Sequence, residues 1–268
     1  MSKAISIIAA GASPALLQAA STILTKVTGG AVKGTTVAQA DKNAVVVGPE
    51  APQGVIAAIV APASSVDPAY KDVKTVVVRA VLPRREADAV QLRDALDVFP
   101  ASGIDASAEV EKATAAFTKA AEVAAAQAKA LQQARVTLVT KQVSKYKNLN
   151  ELFVQSATKA LEAAGLQVEV VNTAKVSNEL LLFPERLGVV LVNDDPVCEN
   201  IAHAYAGVLG GAPSTYVTAS GSKISGGHSY KSVALALATE LKQLGLTQEA
   251  GKLEAAAAKD PLNIAGAL

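Results

Sequence analysis

Aromatic residues are scarce in this chain, which has four Phe, five Tyr and no Trp among its 268 residues. Proteins that hold single-stranded nucleic acid stack its bases on aromatic rings, so we expect no such surface. Lys and Arg number 25 against 24 Asp and Glu, which gives a formal net charge of +1. So even a balance supplies no long-range field that would attract nucleic acid or an anionic membrane. We therefore expect no nucleic-acid partner.

Cysteine and histidine are also nearly absent, with only Cys198, His203 and His228 in the chain. A single cysteine excludes an internal disulfide framework and a metal site built from several cysteines. We interpret Cys198 as a small buried hydrophobic residue, because no neighbouring feature of the sequence would lower the pKa of its thiol.

Long apolar runs are missing as well. The most apolar stretches, 54–62 and 231–238, fall well short of the roughly 20 residues that a helix needs to cross a bilayer. We therefore expect no insertion into a membrane. The first residues lead directly into a strand-like run without the pattern of a signal or transit peptide, so a targeting sequence is expected to be absent or already removed.

Hydrophobic residues nevertheless make up 50% of the chain, chiefly Ala, Val, Leu and Ile, which is enough to form a core. Their pattern predicts strands and helices in alternation, which is typical of an α/β fold. The predicted strands are 5–8, 35–37, 44–47, 55–60, 73–78, 135–140, 166–171 and 187–192. The predicted helices are 15–27 after a Ser13 cap, a stretch opening at 84, 151–164 after an Asn150 cap, 177–183, 194–209 and 231–244. The segment 221–227 is predicted to be a loop.

The segment 108–134 is rich in Ala and carries few larger apolar residues. Ala is the best helix former, so the segment predicts one long helix. Because Ala would also dominate the seam positions, we favour a surface helix packed closely through Ala over a coiled coil.

Residues 136–213 resemble the isocitrate and 3-isopropylmalate dehydrogenase family. The resemblance rests on VTLVTKQVSKYKNLNELFVQSATKALEAAG and ELLLFPERLGVVLVNDDPVCENIAHAYAGVLGGAPS. Their order and spacing agree with the family's V-T-x-V-x-K-x-N segment and its later G-G-x-G-x-A-P-S segment. Shorter stretches, such as ISIIAAGASPALLQAA and KSVALALATELKQLGL, extend the similarity to the family's first loop and terminal helix.

The resemblance implies an isocitrate/isopropylmalate dehydrogenase-like α/β fold of two lobes, with a mixed sheet flanked by helices. The larger lobe would combine 1–62 and 211–268. The smaller lobe, 63–210, would carry a surface for dimerisation or assembly.

The family oxidises a hydroxy acid with NAD(P) and decarboxylates it with the help of a divalent metal, and it uses arginines for the substrate carboxylates and a Lys and a Tyr for proton transfer. Lys141 matches the proton-transfer lysine, and Arg79 matches the arginine of the family's R-E-N-T-E-G segment. Ala61 stands where a second substrate arginine would be. The tyrosine is absent, with 85–87 near its place.

The family's two metal-binding Asp positions can be matched in two registers. In the register that avoids a gap inside a helix they become Glu199 and His203, and in the other they become Val197 and Ile201. Glu199 and His203 are four residues apart and so share a helical face, and Asp195 lies one turn earlier. These three residues are the candidate metal ligands, and the alternative is a surface carboxylate beside a histidine without any metal.

Because so many catalytic positions differ, the resemblance implies a divergent, catalytically inactive member that acts as a structural or regulatory subunit of a larger assembly. We expect protein partners, in a homo- or hetero-oligomer, and no cofactor. The alternatives are a divergent dehydrogenase that uses NAD(P) and Mg²⁺ or Mn²⁺, and a nucleotide- or metabolite-binding module without turnover. Family analogy favours the mitochondrial matrix, with the cytoplasm as the other possibility.

Overall fold

The computed structural model describes residues 3–38, 42–62, 70, 72–83, 90–141 and 143–268. They divide into two compact units. The first unit takes its residues chiefly from 3–53 and 209–268, and the second takes them from 54–62 and 72–208. The helical stretch predicted to open at 84 begins outside the described residues.

Strands and helices alternate along both units, as the α/β prediction requires. The described strands are β1 Lys3–Ala9, β2 Val32–Val37, β3 Ala44–Val47, β4 Val55–Val60, β5 Val76–Ala80, β6 Arg135–Thr140, β7 Gln167–Asn172, β8 Val189–Val192, β9 Ser214–Thr218 and β10 Lys223–Gly227. The described helices are α1 Pro14–Thr28, α2 Leu92–Ala101, α3 Ser107–Ala130, α4 Lys147–Ala163, α5 Thr173–Leu182, α6 Pro196–Val208, α7 Tyr230–Gln243, α8 Thr247–Lys259 and α9 Ile264–Ala267. A short 3₁₀ turn spans Pro184–Arg186.

In the first unit the strand order is β2-β1-β3-β10-β9, with β9 antiparallel to β10 and the other neighbours parallel. The core beneath this sheet is aliphatic, and most of its residues come from α1, β1, β3, α7 and α8. In the second unit the order is β4-β5-β8-β6-β7, with β4 antiparallel to β5 and the other neighbours parallel. Each unit therefore has a mixed sheet flanked by helices, which confirms the predicted fold class.

Local sequence signals explain where the first helix begins and ends. The Ser13 hydroxyl accepts a hydrogen bond from the Leu16 amide at 3.3 Å, and Pro14 occupies the first helical position. Gly29 ends α1 in a left-handed conformation with φ 58°, which glycine adopts without a steric penalty. The cap predicted at Ser13 is thus confirmed.

Helix α3 is the long Ala-rich helix that the sequence predicts. It buries Phe117 against Phe153 of α4, with ring centroids 5.3 Å apart and ring planes at 75°. The rest of its packed face is made of alanines that are at most 8% exposed: Ala113, Ala116, Ala120, Ala121, Ala124, Ala125 and Ala128. This confirms packing through Ala, which lets the helix lie close to its neighbours.

The loop predicted at 221–227 is wrong, because Lys223–Gly227 forms strand β10. Gly226 and Gly227 are required in β10 because there is no space for a side chain at either position, and not because the backbone must be flexible there. A Cβ on Gly226 would lie 2.3 Å from Cε2 of Tyr216, and one on Gly227 would lie 2.6 Å from the backbone of Ser232. The glycines let β9 and α7 approach the strand closely.

The cap predicted at Asn150 is also wrong, because α4 begins three residues earlier, at Lys147. The amides of Asn148 and Leu149 in the first turn donate to the Asp97 carboxylate of α2, at 2.8 and 3.3 Å. Asn150 therefore lies within the helix, where its side chain is free to take part in a buried polar network.

No helix among the described residues is long and apolar enough to cross a membrane.

Candidate functional site

The carboxyl ends of three neighbouring strands bring polar residues of the second unit together. The register pairs Arg79 of β5 with Val192 of β8, and Val192 with Val139 of β6. The segment 193–195 follows β8 directly, and Lys141 follows β6. In open α/β sheets ligands bind at this edge, so it is the candidate site.

Arg79 is a cation inside the sheet. All five residues of β5 are buried, and Arg79 itself is 4% exposed. Its guanidinium Nη1 forms an ion pair with Oε1 of Glu199, which lies in the first turn of α6. Because an unpaired buried charge is strongly destabilising, Glu199 is what allows Arg79 to remain buried and charged.

A second arginine, Arg93 of α2, approaches the same carboxylate. Its Nη1 lies 3.7 Å from Oε2 of Glu199 and 3.9 Å from Oδ2 of Asp194. It also donates to the backbone carbonyl of Asp194 at 3.3 Å. Among the described residues its buried Nε has no hydrogen-bond partner. Glu199 thus lies between two guanidinium groups.

Asp194 is enclosed beside these arginines. Burial raises the pKa of its carboxyl from 3.8 to about 6, an effect that the charges of Arg79 and Arg93 and an amide of Leu82 only partly oppose. Desolvation therefore outweighs two nearby cations, and Asp194 changes its protonation close to neutral pH.

His203 lies one helical turn beyond Glu199, with Nε2 3.7 Å from Oε1 of that carboxylate. Burial, followed by the charge of Arg79, lowers the pKa of His203 below its usual value of 6.5. The imidazole is therefore neutral at physiological pH. The structure places Glu199 and His203 on one face of α6, as their spacing predicts.

Asp195 belongs to a different set of contacts and is 1% exposed. Its Oδ1 accepts from the amide of Val197 at 2.9 Å, which caps the start of α6. Its Oδ2 accepts from Ser144 at 2.6 Å and from Asn150 at 3.3 Å. Its own amide donates to the Asn193 side chain at 3.1 Å. Both carboxylate oxygens therefore have donors within the chain.

The two buried asparagines complete this polar network. Asn193 donates to Oδ1 of Asn150 at 2.9 Å, and that oxygen also accepts from the amide of Lys141 at 3.3 Å. Asn150 in turn donates to the Tyr146 carbonyl at 2.7 Å. The network joins β6, α4, β8 and the start of α6, so its evident role is to fix these chain ends in place.

Cys198 lies close to both sets of residues and is fully buried. Burial, together with the Asp195 charge, raises the pKa of its thiol to about 12, while Lys141 acts weakly in the opposite direction. A thiol held protonated in this way is a poor nucleophile. The interpretation of Cys198 as a small buried residue is confirmed.

Lys141 lines a groove of about 530 Å³ at the start of α4. The polar side chains along the groove include Ser144, Lys147 and Glu151, and Val143 beside them is 86% exposed. Only the backbone amide of Lys141 joins the network described above. Lys141 is thus one of the residues that line a groove large enough for a small molecule.

The predicted metal ligands do not form one cluster. Glu199 pairs with Arg79, and the oxygens of Asp195 accept hydrogen bonds from Val197, Ser144 and Asn150. Within the described part of the chain, no three His, Cys, Asp or Glu side chains are placed to hold a metal ion. This geometry does not fit a divalent cation between guanidinium groups, and the metal role of Glu199, His203 and Asp195 stays a prediction without geometric support.

Arg93 and Asn193, and the roles of Asp194 and Ser144, were not predicted from the sequence. The run 193–196, Asn-Asp-Asp-Pro after a buried β-branched strand, was a usable signal for polar residues at the edge of a sheet. Arg93 carries no such signal, because it reaches the site from a helix about 100 residues earlier in the chain.

No protein-family model matches the chain. No curated protein matches it. The solved structures that are similar in fold include the following three. A chain in the cryo-EM structure of the peripheral stalk of Euglena gracilis mitochondrial ATP synthase has a TM-score of 0.69 at 18% identity, with 99% of this chain and 98% of that chain covered.

The second is the isocitrate dehydrogenase of Methylococcus capsulatus, with a TM-score of 0.59 at 16% identity and the same coverage of 99% and 98%. The third is the TT0538 protein of Thermus thermophilus, with a TM-score of 0.54 at 16% identity, covering 94% of this chain and 61% of that one. At these identities the likeness shows the fold alone. The chain therefore has an isocitrate dehydrogenase-like fold, which by itself assigns no activity.

Proposed function

We propose that this protein is a non-catalytic structural subunit of a larger protein assembly, and specifically of the peripheral stalk of a mitochondrial ATP synthase. The observation that carries the proposal is the ion pair between Arg79 and Glu199. By the resemblance, Arg79 is the position that would bind a substrate carboxylate, and Glu199 is one that would bind the metal. Each side chain has the other as its partner.

The ion pair supports the proposal on electrostatic grounds. A substrate carboxylate would have to displace Glu199 from Arg79, and a metal ion would have to displace two arginines from Glu199. Each exchange leaves a partly buried charge without its partner, which is destabilising. Loss of a member of a cooperative catalytic set also lowers turnover by orders of magnitude.

The choice of assembly is supported by the stalk chain of Euglena gracilis, which has the same fold over nearly its whole length. A stalk subunit needs a stable folded body and no turnover, which agrees with a polar network devoted to fixing chain ends. The mitochondrial neighbour also favours the mitochondrial matrix over the cytoplasm for this chain. We expect no cofactor; were the chain active, NAD(P) and Mg²⁺ or Mn²⁺ would be the ones to test.

The groove beside Lys141 favours a second candidate, a small-molecule-binding module without turnover. Its volume of about 530 Å³ suits a nucleotide fragment or a metabolite, and Lys141 and Lys147 would favour an anion. Such binding would raise the melting temperature of the purified chain without any turnover.

The test combines an assembly assay with an activity assay. The tagged chain, expressed in the cells of its source organism, is expected to migrate with the ATP synthase on a native gel and to be recovered with its identified subunits. Migration only as a free chain or a small homo-oligomer would overturn the stalk assignment.

The activity assay uses the purified chain with isocitrate, isopropylmalate, tartrate or malate, NAD or NADP, and Mg²⁺ or Mn²⁺. We expect no turnover. Turnover that is abolished by Lys141→Ala and kept in Lys159→Ala, an exposed lysine on the same helix as the groove residues, would establish a divergent dehydrogenase instead.

A further inference from the structure

Glu240 is a carboxyl group in the core of the first unit. It lies in α7 and is 0% exposed. Its Oε1 accepts hydrogen bonds from the Ser225 hydroxyl of β10 at 2.9 Å and from the Gln243 side chain at 3.3 Å. Its Oε2 is buried and has no hydrogen-bond partner among the described residues. Only one of the two oxygens is therefore satisfied.

Charged groups on the elements around Glu240 have other contacts or face solvent. Lys242 of α7 pairs with Glu254 of α8 at 2.5 Å, and Lys26 of α1 donates to a backbone carbonyl at 2.6 Å. Lys3 of β1 donates to the carbonyl that follows α7, at 2.7 Å. The remaining charged residues on α7, α8 and β10 are exposed or half-buried: Lys223, Lys231, Glu249, Lys252 and Lys259. Strand β3 and helix α9 carry none. Within the part of the first unit that the structure describes, no cation pairs with Glu240.

A carboxylate in this position would be destabilising for two reasons. It would be a buried charge without a counter-ion, and it would leave a charged oxygen without a donor. A protonated carboxyl group avoids the larger penalty, because it is neutral. Among the described residues its hydroxyl then lacks an acceptor, which costs less than a buried charge without a counter-ion.

We propose that Glu240 is a neutral carboxylic acid in the folded first unit, and that its ionisation at higher pH weakens the packing of α7 on β10. The group is thereby a pH-sensitive element built into the fold.

The direction of the pH effect follows from the titration. Burial raises the pKa of Glu240 above 4.5, and the hydroxyl and amide of Ser225 oppose this only in part. A group whose pKa is higher in the folded state binds its proton more tightly there. Its stabilising contribution is complete below about pH 4.5 and is lost as the pH rises through the folded pKa.

The test compares Glu240→Gln with Glu254→Gln across about pH 4 to pH 9. Gln has the shape of a neutral carboxyl group but cannot ionise. We expect Glu240→Gln to melt at least roughly 3 °C above the wild type at the alkaline end, and the gap to close at the acidic end. Glu254→Gln, which changes a partly exposed carboxylate on the neighbouring helix, should show no such pH-dependent gain. A difference between Glu240→Gln and the wild type that stays constant with pH would overturn the proposal.

Two measurements keep the proposal testable if Glu240→Gln fails to fold. In infrared spectra, the folded wild type should keep the carbonyl band of a protonated carboxyl group at pH values above the ordinary glutamate pKa of 4.5, and unfolding should abolish it. Asp194→Asn should keep this band, which shows that the band does not come from Asp194, another buried acid with a raised pKa.

Ser225→Ala removes a hydrogen bond that lowers the pKa of Glu240, so it should extend the loss of stability to higher pH. Absence of the band, or a shift to lower pH in Ser225→Ala, would contradict a neutral Glu240.

Discussion

Asp195 in the second unit and Glu240 in the first are both acidic residues with at most 1% of their surface exposed, but their contacts differ. Asp195 accepts from an amide, a hydroxyl and a side-chain amide, so both of its oxygens are satisfied. Glu240 has donors on one oxygen only, among the residues that the structure describes. A buried carboxylate is tolerated when enough donors converge on it, and where donors are missing the same group is stable only as a neutral acid.

The two residues also differ in what they do for the fold. Asp195 caps α6, and its hydrogen bond with Ser144 links α6 to the segment between β6 and α4. Glu240 links α7 to β10 through Ser225 alone, among the residues that the structure describes. Replacing Asp195 should therefore destabilise the second unit. Replacing Glu240 with a side chain that cannot ionise should stabilise the first unit at neutral or alkaline pH.

The largest effect that would test this contrast is expected from Asp195→Ala. The change removes a helix cap, worth about 1 kcal/mol, and leaves Ser144 and Asn150 without their acceptor, at about 1–3 kcal/mol each. We expect the free energy of unfolding to fall by about 3–5 kcal/mol in urea titrations.

The matched control is Asp260→Ala. Asp260 also accepts from backbone amides, those of Leu262 and Asn263, but in a more exposed position after α8. Its loss should cost about 1 kcal/mol or less. If Asp195→Ala and Asp260→Ala lose similar stability, the buried network of Asp195 does not stabilise the fold more than an exposed carboxylate does.

A smaller effect is expected from the ion pair between Arg79 and Glu199. Glu199→Gln leaves Arg79, which is only 4% exposed, without its carboxylate. Arg79→Met has a smaller effect, because the Glu199 side chain is 23% exposed and still has Arg93 and His203 near it. We expect losses of about 2–3 kcal/mol for Glu199→Gln and about 1–2 kcal/mol for Arg79→Met.

The double variant should cost less than the sum of the two single changes, because the first change already breaks the pair. Glu122→Gln breaks an exposed pair with Lys119 on α3 and should change stability by no more than about 0.5 kcal/mol. Strict additivity of the Arg79 and Glu199 changes would mean that the pair stabilises nothing.

Much of the architecture could be predicted from local signals. Buried strands such as β3 and β8 are continuous runs of small and branched aliphatic residues, and α1 carries both its cap and its terminating glycine. Strand β10 could not be predicted, because its glycines are required by the approach of Tyr216 and Ser232, which only the folded chain brings near.

The site was predicted less completely than the fold for the same reason. The spacing of Glu199 and His203 placed them on one helical face, since that relation is local. The partner of Glu199 is not local, because Arg79 lies 120 residues earlier and Arg93 reaches the carboxylate from a separate helix. A resemblance to metal-binding positions indicated a cation beside Glu199, and the cations found there are guanidinium groups.

Asp194 sharpens the comparison, because its carboxyl group is buried and also has cations nearby. The pKa of its carboxyl is raised from 3.8 to about 6, so its stabilising contribution is complete below about pH 4 and is lost as the pH rises through 6. Asp194→Asn cannot ionise and should lose this dependence. Relative to the wild type, it should gain about 2 kcal/mol of stability between about pH 4 and pH 7.

His203 titrates in the opposite sense within the same cluster. Its pKa is lowered from 6.5, so its contribution is present above 6.5 and is lost as the pH falls through the folded pKa. As the pH rises, stability is therefore lost through Asp194 and gained through His203, and the difference between Asp194→Asn and the wild type isolates the contribution of Asp194. If the difference between Asp194→Asn and the wild type is the same at both ends of the range, then Arg79 and Arg93 keep Asp194 ionised. In that case cations would suffice where donors are few, and the neutral Glu240 would be explained by its lack of a cation rather than by its unsatisfied oxygen.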